Sequence, residues 1–251
     1  MSSKNNLNHC VALITGGNGG LGLAMALALR KAGAQVVVCG RDQEKLKQAK
    51  KYDLISLTMD VSCEESIHEG FKTISDQFGK LDILVNNAGI YEDQHLLDLS
   101  REHWEYLIST NLTSVFLCSQ SAARLMKTQR HGKIINIGSM YSLFGHPNSI
   151  GYATTKTGVL GLTRSLALEL GPWNIQVNAI LPGWFETAIN GFLPQTERGE
   201  EIRKKTPLGR WGQPQDIGPL AVFLSSSGSD FITGAIIPID GGYSISDRTI
   251  W

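Results

Sequence analysis

The chain has 251 residues, 42% of them hydrophobic and 18% charged, with 23 Lys and Arg balancing 23 Asp and Glu. That length and apolar content support one large core in one domain. Zero formal net charge excludes the basic excess that nucleic acid or an anionic membrane surface demands, and it weakens the colloidal repulsion that opposes oligomers.

Ser2, Ser3, Lys4, Asn5 and Asn6 are polar and lack the apolar run of a signal peptide. No apolar stretch approaches the roughly 20 residues that span a bilayer, so a cytoplasmic protein is expected. Cys10, Cys39, Cys63 and Cys118 lie too far apart for metal-ligand spacing. They read as buried free thiols of a reducing compartment, and no metal site is expected.

In chain order, residues 10–14 are an apolar run of the buried-strand type, and 21–31 follow with helical spacing. Residues 35–39 predict a second strand, 42–51 a polar-faced helix, 54–59 a third strand, 64–78 a third helix and 81–86 a fourth strand. Residues 101–127 read as one long helix with Trp104, Leu107, Ile108, Val115 and Phe116 near one stripe. A fifth strand is predicted at 133–137, a long helix at 149–170, a sixth strand at 176–181, a helix at 214–224 and a last strand at 235–239. The segment 183–206 mixes Gly, Pro and charge and reads as a loop with short helical pieces, of a length typical of substrate lids. The alternation predicts an α/β fold: a single domain over 1–251, a Rossmann-type doubly wound parallel sheet of seven strands with helices on both faces.

Thr15 and Gly16 end the first strand, and Gly20 and Gly22 open the first helix. Glycines at such a turn let a pyrophosphate approach backbone amides at a helix N-terminus. The same glycines could serve tight packing alone, but the first strand–helix unit is where such folds hold dinucleotides. Gly16, Asn18, Gly20, Leu21 and Gly22 are therefore candidate cofactor contacts. The second strand ends in Cys39, Gly40 and Arg41, with no carboxylate at its tip. An acid there would bond a ribose 2′-hydroxyl, whereas Arg41 suits a 2′-phosphate. NADP(H) is favoured and NAD(H) allowed, since Gly19 offers no second cation and Asp42 could turn toward a hydroxyl.

Tyr152 and Lys156 lie four residues apart in a helical pattern and so share a face. A phenol ordinarily loses its proton near pH 10, and a neighbouring ammonium favours the phenolate. Raising its acidity by three powers of ten requires about 4 kcal/mol. Lys156 together with an oxidised nicotinamide could supply that where water is excluded. Ser139, at the end of the fifth strand, is placed to hold a substrate oxygen. Asn111 sits mid-helix although Asn is a poor helix former. It is either a polar solvent-facing residue or the mark of a disturbed turn whose freed carbonyl binds water near Lys156.

These residues, with Asp60, Val61, Asn86, Asn87, Ala88, Gly89, Asn178, Pro182, Gly183 and Thr187, resemble the short-chain dehydrogenase/reductase family over nearly the whole chain. The resemblance implies catalytic roles for Asn111, Ser139, Tyr152 and Lys156. It implies that Asp60 and Val61 contact adenine and that Asn87, Ala88 and Gly89 support the adenosine side. By the same resemblance Lys156 bonds the nicotinamide ribose, Tyr152 adjoins it, and Pro182, Gly183 and Thr187 hold the nicotinamide. It also implies a homotetramer, with the long helices and the C-terminal helix–strand segment at its interfaces.

Residues 207–214 and the closing Asp240, Gly241 and Gly242 are similar to the sugar-acid branch of that family, the gluconate 5-dehydrogenases and 2-deoxy-gluconate 3-dehydrogenases. The missing acid at the second strand departs from many of them. Candidate substrate contacts are Met140, Tyr141, His146, Trp184 and Glu186, with Asn148 and the loop 184–192. Their mixture of aromatic and polar groups suits a sugar, a sugar acid or a small ketone. Two other readings stay open. One is a 3-oxoacyl-[acyl-carrier-protein] reductase, for which Arg198, Arg203, Lys204 and Lys205 would form a basic rim. The other is a cofactor-sensing protein without turnover, against which the complete set of four catalytic residues argues.

Overall fold

The computed structural model describes residues 6–247, so the polar residues 2–5 lie outside the described residues. Seven strands form one sheet: β1 (Val11–Thr15), β2 (Gln35–Gly40), β3 (Ile55–Thr58), β4 (Ile83–Asn86), β5 (Gly132–Ile137), β6 (Ile175–Pro182) and β7 (Ile236–Ile239). Their order is β3-β2-β1-β4-β5-β6-β7, and every neighbouring pair is parallel. The chain runs outward from β1 to β3, then returns to lay β4 on the other side of β1. The tips of β1 and β4 therefore flank the switch point where open α/β sheets keep their ligands.

Alternation along the strands assigns each side chain to a face. Ala12, Ile14, Val36 and Val38 pack with Met25 and Leu29 of α1 (Gly20–Lys31), Leu46 of α2 (Gln43–Ala49) and Leu224 of α8 (Gly218–Ser225). Val11, Leu13, Val37 and Leu84 pack on the opposite face. There they meet Ile67, Phe71 and Ile74 of α3 (Glu64–Phe78), Cys118 and Met126 of α5 (Ser114–Gln129) and Leu170 of α6 (Ile150–Leu170). Burial on both faces explains why these strands read as unbroken apolar runs.

The long helix expected at 101–127 is interrupted. α4 (Arg101–Ile108) and α5 are joined through a π turn, Ser109–Thr113, which contains Asn111. The helix expected at 214–224 opens with a 3-10 turn, Pro214–Ile217, before α8. Within 183–206 the chain forms a nine-residue helix, α7 (Glu197–Lys205). Thr196 caps it, Glu197 and Glu200 sit in its first turn, and Arg203, Lys204 and Lys205 sit in its last, which complements the helix dipole.

Buried polar groups lock the sheet to the helices that carry the site. Asn86 at the tip of β4 donates to Asn136 on β5 (2.8 Å) and to Ser119 on α5 (3.0 Å). Asn136 in turn donates to Thr163 on α6 at 2.9 Å. All four cysteines are free, but only Cys39 and Cys118 are buried; Cys10 and Cys63 are partly exposed, which corrects the expectation of uniform burial. Among the described residues no helix is long and apolar enough to cross a membrane.

Candidate active site

The glycine turn is laced to the neighbouring strand tip. Thr15 Oγ1 accepts from the backbone N–H of Asn87 and of Ala88, each at 3.0 Å. The Asn87 side chain donates to the carbonyls of Thr15 (2.9 Å) and Gly16 (3.1 Å). Gly16 has φ +61°, and a Cβ on Gly22 would stand 2.4 Å from the Gly16 carbonyl oxygen, so neither position accepts a side chain without distortion. α1 begins behind Gly19 with no side-chain cap and no acid in its first turn. Its first-turn N–H groups therefore keep their affinity for an anion.

At the tip of β2, Arg41 lies between Tyr106, whose hydroxyl is 3.5 Å away, and the Asp60 carboxylate at 3.8 Å. Asp60 is itself held by the N–H (2.9 Å) and hydroxyl (2.7 Å) of Ser62. Asp42 does not turn toward the ribose position; its carboxylate caps α2 by accepting from Lys45 N–H at 3.1 Å. Lys45 lines this same end of the cleft. Lys45, four residues and one helical turn after Arg41, supplies the second cation that Gly19 does not offer.

Tyr152 lies in the first turn of α6 and Lys156 in the second, with the Lys156 Nζ 5.8 Å from the Tyr152 ring centroid. Lys156 is 3% exposed and has no carboxylate partner; its ammonium donates to the Ile137 carbonyl at 2.9 Å. The Ser142 hydroxyl fixes the lysine's own carbonyl at 2.7 Å. Ser139 leaves β5 in extended conformation, accepts from the Tyr141 N–H at 3.2 Å, and favours the charged form of the neighbouring Tyr152 phenol. Asn111 is fully buried rather than solvent-facing. Its side chain clasps residue 90, accepting from the Ile90 N–H (2.8 Å) and donating to the Ile90 carbonyl (2.9 Å).

The expected acidification of Tyr152 by Lys156 is absent in the protein by itself. Burial pushes the phenol up to about 12, with Ser139 pulling back. Burial also pushes the Lys156 ammonium down to about 8. Both groups are driven toward neutrality because desolvation penalises the charged form of each.

Beyond this pair the wall is aromatic. Tyr91 meets Tyr152 edge-on at 5.1 Å, and Tyr141 contacts both Tyr152 and Trp184 edge-on at 6.2 Å. Tyr91 was not singled out in the sequence, although it follows the Asn87, Ala88, Gly89 stretch by two residues. One cleft of about 750 Å³ runs from Arg41 to Trp184. It is lined by every expected cofactor residue, from Gly16 to Thr187, and by Ser139, Met140, Tyr141 and Trp184. Asn111 lies beneath that lining. His146 and Glu186, expected as substrate contacts, do not line it. His146 stacks on the back of Tyr141 (4.7 Å between centroids), and Glu186 is exposed, its N–H bonded to the Gly212 carbonyl at 2.9 Å. Asn148 is exposed in a left-handed turn (φ 60°).

Comparison with known proteins gives the same reading. Residues 16–244 match the family described as "Enoyl-(Acyl carrier protein) reductase". The 2-dehydro-3-deoxy-D-gluconate 5-dehydrogenase of Dickeya dadantii is 42% identical over 246 residues, 95% of this chain and 96% of that protein. The 3-oxoacyl-[acyl-carrier-protein] reductase of Aquifex aeolicus is 39% identical over 239 residues, 92% of this chain and 96% of its own. A gluconate 5-dehydrogenase from Burkholderia cenocepacia, solved in complex with NADP and tartrate, superposes with a TM-score of 0.93 at 35% identity, covering 97% of this chain and 98% of that one. With sequence likeness running through almost the whole chain and the fold shared at that level, this protein belongs to the short-chain dehydrogenase/reductase family, NAD(P)-dependent oxidoreductases that act on CH–OH groups.

Proposed function

We propose that the chain interconverts a secondary alcohol and a carbonyl in a sugar, a sugar acid or a small ketone, with NADP(H) as the favoured dinucleotide and NAD(H) allowed. The observation that carries this reading is a half-buried Tyr152 and a buried Lys156 set beside Ser139 in a cleft whose other end is a glycine turn and two cations. The donor set fits a dinucleotide. Gly16, Asn18, Gly20, Leu21 and Gly22 face its pyrophosphate with uncapped amides, and Arg41 and Lys45 take a 2′-phosphate. Asp60 and Val61 flank adenine, Asn87, Ala88 and Gly89 support the adenosine side, and Pro182, Gly183 and Thr187 hold the nicotinamide. The bound dinucleotide supplies or accepts the hydride.

The chain's own residues manage the proton. Ser139 holds the substrate oxygen, and Tyr152 takes its proton during oxidation or returns it during reduction. Lys156 bonds the nicotinamide ribose and holds positive charge beside the phenol. Asn111 holds the π turn against residue 90. General acid–base catalysis of this kind is worth about 10²–10⁴ in rate. Tyr152→Phe should accordingly lower kcat by at least about a hundredfold while NADPH binding, read by its fluorescence, persists. A variant with wild-type turnover would contradict the proton role.

The substrate preference rests on the polar–aromatic wall and on the relatives that act on gluconate derivatives. The basic rim that would welcome an acyl-carrier protein is largely engaged: Arg198 bonds His146, Arg203 pairs with Glu200, and Lys205 lies over Tyr243 at 4.2 Å. Turnover of acetoacetyl thioesters alone, in a panel with aldonates, keto-sugars and cyclic ketones, would favour the reductase alternative instead. Cofactor choice is read from kcat/KM with each dinucleotide. NADPH should be preferred, and Arg41→Ala should cost about tenfold or more with NADPH while leaving NADH nearly unaffected. An NADH preference indifferent to that substitution would overturn the assignment.

A homotetramer in the cytoplasm belongs to the same reading. Phe116 on α5, Leu168 on α6 and Phe231 before β7 are 44%, 81% and 104% exposed, on the segments the family resemblance assigns to interfaces. Light scattering should give the mass of four chains; a monomer at micromolar concentration would contradict it.

A further inference from the structure

The aromatic wall carries polar atoms but does not offer them to the cleft. The Tyr141 hydroxyl, the Trp184 indole N–H and the Thr110 hydroxyl are all shielded from solvent. The Tyr91 hydroxyl is taken up by the buried Ser149 hydroxyl at 3.2 Å, and the Asn190 amide donates to the Phe185 carbonyl at 2.6 Å. Tyr91 and Trp184 are half-buried and line the cleft, so what they present to it is mainly ring carbon. Ile90, Met140 and Ile189 continue that surface. Ile189 is 71% exposed although it lines the cleft, and so has apolar area left to bury.

Charge is scarce at this end as well. Among the residues lining the cleft, the carboxylates are Asp42 and Asp60 and the cations are Arg41, Lys45 and Lys156. All but Lys156 belong to the adenosine end. Lys156 is committed to the Ile137 carbonyl at 2.9 Å and, in the reading above, to the nicotinamide ribose. Glu186 and Arg198 stand outside the lining, and Arg198 is engaged with His146 Nε2 at 3.0 Å. A carboxylate or a row of hydroxyls set against this wall would lose its water and gain few partners, which costs free energy. A hydrocarbon face set there would gain by leaving water. With Thr187 assigned to the nicotinamide, the polar pair left for the substrate is Ser139 and Tyr152, both at the reacting oxygen.

We propose that the substrate is an uncharged ketone with a hydrocarbon body, or the matching secondary alcohol, and that Tyr91 selects it by packing its ring on that body. This rests on the oxidoreductase reading above and narrows it from sugars, sugar acids and small ketones to the last of these. The Tyr91 ring centroid lies 5.1 Å from that of Tyr152, closer than the 6.2 Å of Tyr141, so Tyr91 flanks the reacting group most tightly. In reduction the carbonyl carbon takes the hydride of the reduced dinucleotide and the oxygen takes the Tyr152 proton, which yields the alcohol and the oxidised dinucleotide.

The test is equilibrium binding of alcohols to the protein loaded with its reduced dinucleotide, where both partners are reduced and no turnover can occur. Ligand-observed NMR titrations compare cyclohexanol with myo-inositol, and 2-hexanol with sorbitol and D-gluconate. Each apolar alcohol should bind about tenfold or more tightly than its polyhydroxy counterparts. Tyr91→Phe, which keeps the ring, should preserve that ratio, whereas Tyr91→Ser should bring it to within about threefold. The proposal is overturned if the polyols or D-gluconate bind as tightly as the apolar alcohols, if neither apolar alcohol binds, or if the two Tyr91 variants give the same ratio. Tighter polyol binding together with reduction of a keto-sugar would sink this substrate class and leave the oxidoreductase reading standing. An apolar preference with no ketone reduced would sink that reading, and the substrate assignment with it, while leaving the apolar subsite.

Discussion

Everything in this protein that bears on chemistry depends on a half-buried phenol lying beside a buried ammonium that has no counter-ion among the described residues. Tyr152 and Lys156 share a helix face, and desolvation moves each toward its neutral form, the phenol to about 12 and the lysine to about 8. Bringing that phenol to work near neutrality takes about five powers of ten in acidity, close to 7 kcal/mol. That exceeds the roughly 4 kcal/mol that a phenol of ordinary acidity would need. An oxidised nicotinamide held by Lys156, Pro182, Gly183 and Thr187 would supply further positive charge beside the phenol, and the low-dielectric surroundings would strengthen that interaction.

The scaffold explains how so costly a pair is tolerated. The Lys156 ammonium has the Ile137 carbonyl at the end of β5, and its backbone carbonyl is held by Ser142 in the 3-10 turn Met140–Ser142 that follows the strand. Asn136 on the same strand is tied to Asn86 and Thr163, which fixes β5 to β4 and to α6. The pair is therefore set against a strand tip that cannot move independently of its helix. The glycine turn at the tip of β1 is tied to Asn87 and Ala88 just after β4, so the two halves of the site share one base.

Much of this was legible in the sequence because it is local. Strand runs such as Val36, Val37 and Val38, the turn at Gly16, and the four-residue interval from Tyr152 to Lys156 depend on neighbours in the chain. What escaped depends on contacts across it. The π turn at Ser109–Thr113 is stabilised by Asn111 reaching back 21 residues to Ile90, and no periodicity within 101–127 reports that. His146 follows Ser139 closely enough to read as pocket wall, yet it folds back onto Tyr141 and serves the wall from behind. Lys45 and Tyr91 are one helical turn and two residues from motifs that were recognised, and only the cleft's shape brings them in.

The measurement that tests the central claim most directly is the ionisation of Tyr152 itself, followed by the Cζ resonance of ¹³C-labelled tyrosine and assigned by its loss in Tyr152→Phe. In the protein without cofactor the phenol should stay protonated through pH 10, as its value of about 12 demands. With NADP⁺ bound it should titrate well below pH 10. A phenol that ionises at the same pH with and without the oxidised cofactor would contradict the account.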